Sequence, residues 1–271
     1  MKKIISLISF FILATGAYAD GDLLTAGARY AGMAGSSVVL PDTWSVFGNQ
    51  AGLAYLQNPS VGLSYENRFL LPETSYGALA FQMPLLAGNI GLGINHFGLT
   101  EYHENKFALS YAQQLFRRIS MGVQFDYIFL HQPEDYGNLH AFSFELGLIA
   151  KPNDKIVIGI HAANPMPVKI LNTENQYLPT VLKVGVGYVF SKSVITTFEA
   201  EQNLQLEKPV FRLGCEYNSE RHYSIRAGIA TNPVLFSLGF GYNLKGLQLD
   251  IAYSYHQVLG STPHISVGYA F

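Results

Sequence analysis

Ten charged residues of this chain share one place in its sequence pattern. They lie on the polar side of segments in which polar and apolar residues alternate. Charges on one face of a sheet can line a polar pathway, hold an inner segment, or form ion pairs that stiffen a wall. The sequence leaves these alternatives open. The ten candidates are Glu66, Asp126, Glu145, Lys183, Glu199, Glu201, Arg212, Glu216, Arg226 and Asp250.

The other potentially reactive side chains predict neither an enzyme nor a metal site. None of the eight histidines shows an HxxxH or HxH spacing. His256 and His264 lie on adjacent predicted strands and could meet at the outer rim of the enclosed space. A triad could be imagined from Ser254 or Ser266 with His256 and Asp250, but no nucleophile-elbow motif occurs in the sequence. We therefore expect no catalytic residues, no metal and no cofactor.

Composition narrows the class of protein that must position these groups. Of the 271 residues, 49% are hydrophobic and only 13% are charged, with a formal net charge of −2. This apolar content is too high for a disordered chain, and the near-neutral charge without a basic run excludes a nucleic-acid partner. Cys215 is the only cysteine, so the chain cannot form an internal disulfide.

The first residues have the pattern of an export signal. Lys2 and Lys3 precede an apolar run of about ten residues, and Ala17 and Ala19 have the small side chains of a cleavage site. The run is too short for a membrane-spanning helix. We therefore expect residues 1–19 to be a signal peptide cleaved after Ala19.

From about residue 58 onward, hydrophobicity alternates with a period of two. Turn-forming residues divide this region into about fourteen strands, each long enough for a tilted membrane strand. Short turns alternate with longer loops, and aromatic residues collect at both strand ends. The predicted strands are 58–68, 74–84, 88–97, 104–115, 118–130, 138–150, 155–163, 180–190, 193–203, 209–217, 222–230, 233–243, 247–256 and 263–271.

These features predict an all-β fold. Residues 58–271 would form a transmembrane antiparallel up-and-down β-barrel with both chain ends on the periplasmic side. A secreted β-sandwich or β-helix also has a period of two. The low charge and the sorting of aromatic residues to the strand ends favour the barrel. Cys215 falls on its lipid-facing side.

Residues 20–57 fit the strand pattern poorly and are rich in Gly and Ala. Such a segment can fold back into a barrel as a hatch, and we expect Arg29 to pair with a carboxylate of the barrel interior. The alternative is a periplasmic tail that only leads into the first strand.

The same segment carries short motifs of a known family. It resembles the N-terminus of the FadL-like superfamily of outer-membrane barrels, most closely the PorV/PorQ-like proteins of the Bacteroidetes. Gln50 replaces the usual proline of that family, and Ala34 replaces a glycine. The resemblance implies hatch residues Arg29, Asp42, Asn49, Gln50, Ala51 and Gly52. The motifs are Gly27-Ala28-Arg29, Gly32-Met33-Ala34-Gly35, Asp42 and Phe47-Gly48-Asn49-Gln50-Ala51-Gly52-Leu53-Ala54.

The resemblance also implies a place in the outer membrane of a Gram-negative bacterium and two different functions. Fatty-acid transporters of the superfamily bind apolar molecules and release them past the hatch. PorV-like members hold proteins exported by the type IX secretion system. We expect passage or binding of small hydrophobic molecules, with a PorV-like partner-binding barrel or a structural barrel with a sealed lumen as alternatives.

Two further sets of residues complete the expectations. The loop 164–179 offers an apolar site for a small hydrophobic ligand at Met166, Val168, Ile170 and Leu171. At the C-terminus, Tyr269 and Phe271 would form the signal read by the barrel-assembly machinery. The expected partners are therefore outer-membrane lipid, that machinery, and either a small hydrophobic ligand or a secretion-system protein.

Overall fold

A computed structural model describes residues 25–133, 137–171 and 177–271. The predicted signal peptide, residues 1–19, lies outside the described residues. Within them, fourteen strands follow each other along the chain. They are β1 (Ser60–Asn67), β2 (Ser75–Leu85), β3 (Gly88–Gly98), β4 (His103–Phe116), β5 (Ile119–His131), β6 (Asn138–Ala150), β7 (Ile156–Ala163), β8 (Val181–Ser191), β9 (Val194–Asn203), β10 (Val210–Asn218), β11 (Tyr223–Ala230), β12 (Leu235–Leu244), β13 (Leu247–His256) and β14 (Gly260–Ala270).

The strands close into a barrel in which each one pairs with its neighbours in sequence. Closure comes from β1 and β14, which pair antiparallel from Ser60 opposite Ala270 to Glu66 opposite His264. Closure removes the exposed edges that an open sheet would leave. The predicted fold class and the strand number of fourteen are therefore confirmed.

The two faces of the wall differ in polarity, as the period of two requires. Apolar side chains such as Leu63, Phe125 and Leu238 are 61%, 63% and 65% exposed on the outer face. Charged side chains such as Lys183 and Glu199 are buried on the inner face. This outer face is suited to lipid, in which charged side chains are costly.

The two ends of the barrel also differ. At the end where β1 begins and β14 finishes, connections are short and include the two-residue turn Lys245–Gly246, in which both residues have positive φ. We call this the turn end. The opposite end, the loop end, carries longer connections, of which 164–180 is the longest. The predicted strand boundaries differ from the observed ones by up to three residues. The largest difference is at β14, which begins at Gly260 and not at residue 263, because the hairpin ladder continues to His256 opposite Gly260.

Residues 25–57, which we call the inner segment, precede β1 and contain little regular structure. They form the single-turn helix α1 (Ala28–Ala31) and two 3-10 helices, Thr43–Val46 and Gln50–Tyr55. Side chains cap both 3-10 helices, since Asp42 accepts a hydrogen bond from Trp44 N and Asn49 from Ala51 N. Two further 3-10 turns, Arg68–Leu70 and Pro72–Thr74, lie between β1 and β2.

The inner segment lies inside the barrel. Helix α1 contacts β12, β13 and β14, whereas the helix Gln50–Tyr55 contacts β3 to β6 on another part of the wall. Its apolar side chains, including Val38, Leu40 and Leu53, are buried in one cluster with the small inward residues Ala80 and Ala112. Among the described residues, no helix has the length and apolar character needed to span a membrane.

Candidate functional site

Inward-facing glycines make room for the inner segment. A Cβ atom on Gly228 would lie 2.5 Å from the backbone nitrogen of Ala34, and one on Gly62 would lie 2.8 Å from the Trp44 ring. In the structure that space is occupied by a segment distant in sequence. The strand glycines in contact with the inner segment include Gly62, Gly91, Gly93, Gly122, Gly147, Gly159, Gly185, Gly214, Gly228 and Gly239.

Arg29 of α1 joins the inner segment to β10. Its Nε and Nη2 donate to the two carboxylate oxygens of Glu216 at 2.8 and 2.7 Å, and its Nη1 donates to Asp42 at 2.8 Å. Two parallel bonds between one guanidinium and one carboxylate fix orientation as well as distance. Glu216 and Asp250 also bind Arg226, each at 2.6 Å, so the ion pairs continue along the wall to β13.

A small pocket opens beside this network at the turn end. Its lining is mostly polar and includes Arg29, Glu216, Arg226, Asp250 and Tyr242. The four charged groups already pair with one another, so the pocket presents hydrogen-bonding surface and not a free charge.

Glu199 of β9 forms the second attachment. Its buried carboxylate accepts hydrogen bonds from the backbone nitrogens of Ser37 and Val38 at 2.8 and 2.9 Å. Beside it, the hydroxyl of Ser36 donates to Thr197 at 2.8 Å. The wall therefore satisfies backbone donors that the irregular inner segment cannot pair within itself.

Three charged residues continue the wall next to Glu199. Glu201 accepts from Lys183 at 3.1 Å and from Arg212 at 3.0 Å, and Arg212 also lies 3.6 Å from Glu199. These two bases balance the charges of the two glutamates. Buried carboxylates in this part of the lumen are thus neutralised by neighbours on the same wall.

Glu145 of β6 forms the third attachment. It accepts from the side-chain amide of Gln50 at 2.5 Å, from Lys106 at 2.5 Å, and contacts His161 Nε2 at 2.8 Å. Asp126 lies 3.2 Å from the same lysine. The glutamine that replaces the family's usual proline thus supplies a side-chain bond that proline could not.

Sequence reasoning missed Lys106 and His161. Both could have been found from the period of two. Lys106 lies two residues before Ala108, and His161 two residues after Gly159, so each shares the inward face of its strand with a small residue. The omission matters because, among the described residues, Lys106 and His161 are the only basic side chains in contact with Glu145.

The remaining predicted hatch residues form the bend of the inner segment. The amide of Asn49 donates to Val38 O at 2.8 Å and to Leu148 O of the wall at 3.2 Å, while its oxygen caps Ala51 N. Gly52 has no room for a side chain, because a Cβ atom would collide with Ser45 Oγ. Nearby, Lys151 Nζ lies 3.5 Å above the Tyr55 ring, and burial lowers the pKa of this lysine.

Glu66, another of the predicted lumenal charges, lies apart from the three attachments of the inner segment. It binds Arg68 at 3.1 Å and His264 Nδ1 at 2.8 Å, at the loop end. His264 Nε2 in turn contacts Ser254 Oγ at 3.0 Å, whereas His256 Nδ1 accepts from the Val258 and Leu259 nitrogens. His256 and His264, which the sequence allowed to meet, therefore have separate partners.

This serine–histidine–glutamate chain has the hydrogen-bond order of a nucleophile, base and acid. Ser254 is a ladder residue opposite Thr262, and the ladder uses the backbone N–H groups around it. No oxyanion hole is formed by them, and the chain of bonds instead ties β13, β14 and β1 together.

The two peripheral sets of predicted residues lie on the surface. Met166 and Leu171 are exposed in the loop 164–180, where Leu171 N donates to His140 O at 2.9 Å. The structure does not gather Met166, Val168, Ile170 and Leu171 into an enclosed pocket. At the C-terminus, Tyr269 and Phe271 stack edge to face at 5.0 Å on the outer side, and Phe271 N donates to Pro59 O.

Comparison with known proteins locates this fold. No family model and no curated protein matches the chain. Solved structures do: the CymD monoaromatic hydrocarbon channel has a TM-score of 0.68 at 16% identity, covering 92% of this chain and 98% of that one. The toluene transporter TbuX of Ralstonia pickettii gives 0.65 at 12% identity, covering 90% and 98%.

A FadL homologue of Pseudomonas aeruginosa gives a TM-score of 0.66 at 12% identity and covers 92% of this chain and 99% of its own. At these identities the likeness defines the fold. The chain is a closed fourteen-stranded β-barrel with the same fold as these solved structures.

Proposed function

We propose that the protein lies in the outer membrane of a Gram-negative bacterium and passes small hydrophobic molecules across it. The observation that carries the proposal is the combination of an apolar outer wall with a FadL-like fold, whose solved examples include a monoaromatic hydrocarbon channel and a toluene transporter. In this proposal the turn end, where β1 begins and β14 finishes, faces the periplasm.

The inner segment acts as the hatch of this channel. Side-chain and backbone hydrogen bonds, which water can replace, attach it to the wall through Glu216, Glu199 and Glu145. The small inward residues of the wall lie in direct contact with the segment. Passage therefore requires the segment to shift, and the wall charges hold it in the closed position until it does.

A reversible covalent lock tests this requirement. The hydroxyl oxygens of Ser36 and Thr197 are 2.8 Å apart, so Ser36→Cys with Thr197→Cys places two sulfurs within bonding reach across the hatch and the wall. Cys215→Ala removes the only natural thiol. Each single cysteine variant in this background is a matched control.

Uptake of labelled toluene and of a long-chain fatty acid would be measured in cells that lack other channels of this type. We expect the unlocked protein to raise uptake above empty cells, oxidation to abolish the gain in the double-cysteine variant only, and reduction to restore it. No gain over empty cells would refute transport of these two molecules. A gain that survives the lock would refute the hatch.

A PorV-like partner-binding barrel is the second candidate. The segment that fills the lumen favours it, because an adaptor can keep its lumen closed. Mass spectrometry of material co-purified from the native outer membrane in mild detergent separates the candidates. A stoichiometric protein partner supports the adaptor, and a bound apolar molecule absent from control barrels supports transport. A barrel with neither, and with no uptake, would be structural.

A further inference from the structure

Three histidines lie side by side on the outer wall near the loop end, away from the hatch. His96 of β3, His103 of β4 and His131 of β5 follow one another around the barrel. The ring centroids of His96 and His103 are 5.6 Å apart, and those of His103 and His131 are 4.8 Å apart. His103 and His131 are direct cross-strand partners, so the backbone ladder fixes their spacing.

Hydrogen bonds set the tautomer of this pair. His103 Nδ1 lies 3.2 Å from the backbone oxygen of Leu99, and His131 Nδ1 lies 2.7 Å from the side-chain oxygen of Asn138. Carbonyl oxygens only accept, so each Nδ1 carries the hydrogen and each Nε2 carries the free lone pair. Histidines that bind metals usually donate their other N–H to a carbonyl or carboxylate oxygen in this way.

We propose that His103 and His131 together bind one divalent transition-metal ion, with Cu²⁺ as the best match and water completing the coordination. Imidazole nitrogens suit Cu²⁺, which also binds most tightly among the divalent first-row metals. Cu²⁺ prefers a square-planar arrangement, in which bonds of about 2.0 Å place two adjacent ligand nitrogens about 2.8 Å apart. The half-buried rings are spaced more widely at their centroids, so they tilt toward each other on binding, each pivoting about its Nδ1 hydrogen bond.

The position of the pair gives the ion a structural consequence. It would link β4 to β5 at the point where β5 leads into the loop 132–137. An ion that binds only the folded wall stabilises it by mass action. The site is independent of the proposed channel, since neither side chain faces the lumen.

The test is Cu²⁺ titration of the full-length barrel in detergent, purified without a polyhistidine tag, by calorimetry and by electron paramagnetic resonance. The matched control is His140→Gln, because His140 is a neighbouring outer-wall histidine whose Nδ1 faces the hydroxyl of Tyr127. We expect one ion per chain with a nitrogen signature from two imidazoles. His103→Gln and His131→Gln should each weaken binding at least tenfold, while His140→Gln should keep it.

The proposal is overturned if the wild-type barrel shows no saturable binding, or if the double variant His103→Gln with His131→Gln retains it. If a variant fails to fold, chemical labelling of histidines in the unaltered protein tests the same site. Cu²⁺ should then protect His103 and His131, but not His140, from diethyl pyrocarbonate. Equal labelling of all three with and without Cu²⁺ contradicts the site.

Discussion

Replacing Glu199 by alanine should loosen the hatch by an amount that the structure allows us to work out. The carboxylate accepts two backbone hydrogen bonds, from Ser37 and Val38, inside the barrel. A hydrogen bond to a charged group contributes about 1.5–3 kcal/mol. Loss of both bonds therefore lowers the free energy of opening this part of the hatch by about 3–6 kcal/mol. Since about 1.4 kcal/mol is a factor of ten, opening becomes about two to four orders of magnitude more frequent.

Hydrogen exchange read by mass spectrometry measures this change directly, because amide exchange reports local opening. Peptides that contain Ser37 and Val38 should exchange faster by that factor in Glu199→Ala. Glu199→Gln is the matched control, since its amide oxygen still accepts both bonds and exchange should accelerate by only about one to two orders of magnitude. Amides of β4 and β5 should not change. Unaltered exchange at Ser37 and Val38 in the alanine variant would refute the attachment.

Three other perturbations test the hatch and the wall. Gly228→Val should dislodge the inner segment, because its Cβ atom would lie 2.5 Å from the backbone nitrogen of Ala34. Trypsin should then cut the chain after Arg29. Gly268→Ala is the control and should leave the segment protected, because its Cβ atom would have no neighbouring atom nearer than 3.7 Å. Arg29→Met should lower the free energy of unfolding in urea by about 3 kcal/mol, the lower end for a broken buried ion pair, because Glu216 keeps Arg226. A wild-type urea midpoint in Arg29→Met would contradict this. Phe271→Ser should reduce the amount of assembled barrel in outer-membrane fractions, and wild-type levels would count against a role in assembly.

The wall could be predicted from the sequence because its rule is local. In the strand Leu247–His256, the alternation of apolar and polar residues sets both the conformation and the direction of each side chain. The same rule placed Glu199, Glu216 and Asp250 in the lumen. Boundaries such as Gly260 were less predictable, since a hairpin ladder can extend over residues without an alternating pattern.

The hatch contacts could not be derived in the same way. Every residue except proline has a backbone N–H, so nothing in the residue types of Ser37 and Val38 indicates that Glu199 binds them. Arg29 was expected to meet a lumenal carboxylate, but several carboxylates were available. The choice of Glu216 depends on how α1 seats against β12 to β14, which only the assembled barrel determines.

The two halves of the inner segment differ in their charged contacts with the wall, and this difference sets the order in which we expect them to leave it. Residues 28–38 bury Tyr30, Met33 and Val38 in the apolar cluster, but they are also held by the carboxylates of Glu216 and Glu199. These charged hydrogen bonds are worth about 1.5–3 kcal/mol each, and entering water can take the place of each partner that is lost. Residues 44–53 bury Trp44, Val46 and Leu53 in the apolar cluster, and each buried side chain of this size is worth about 1.5–3 kcal/mol. If the inner segment is the proposed hatch, we expect it to open first on the side of β9 to β14, because entering water replaces the charged contacts that are lost there. Residues 44–53 then stay seated against β3 to β6 and guide the return of the other half.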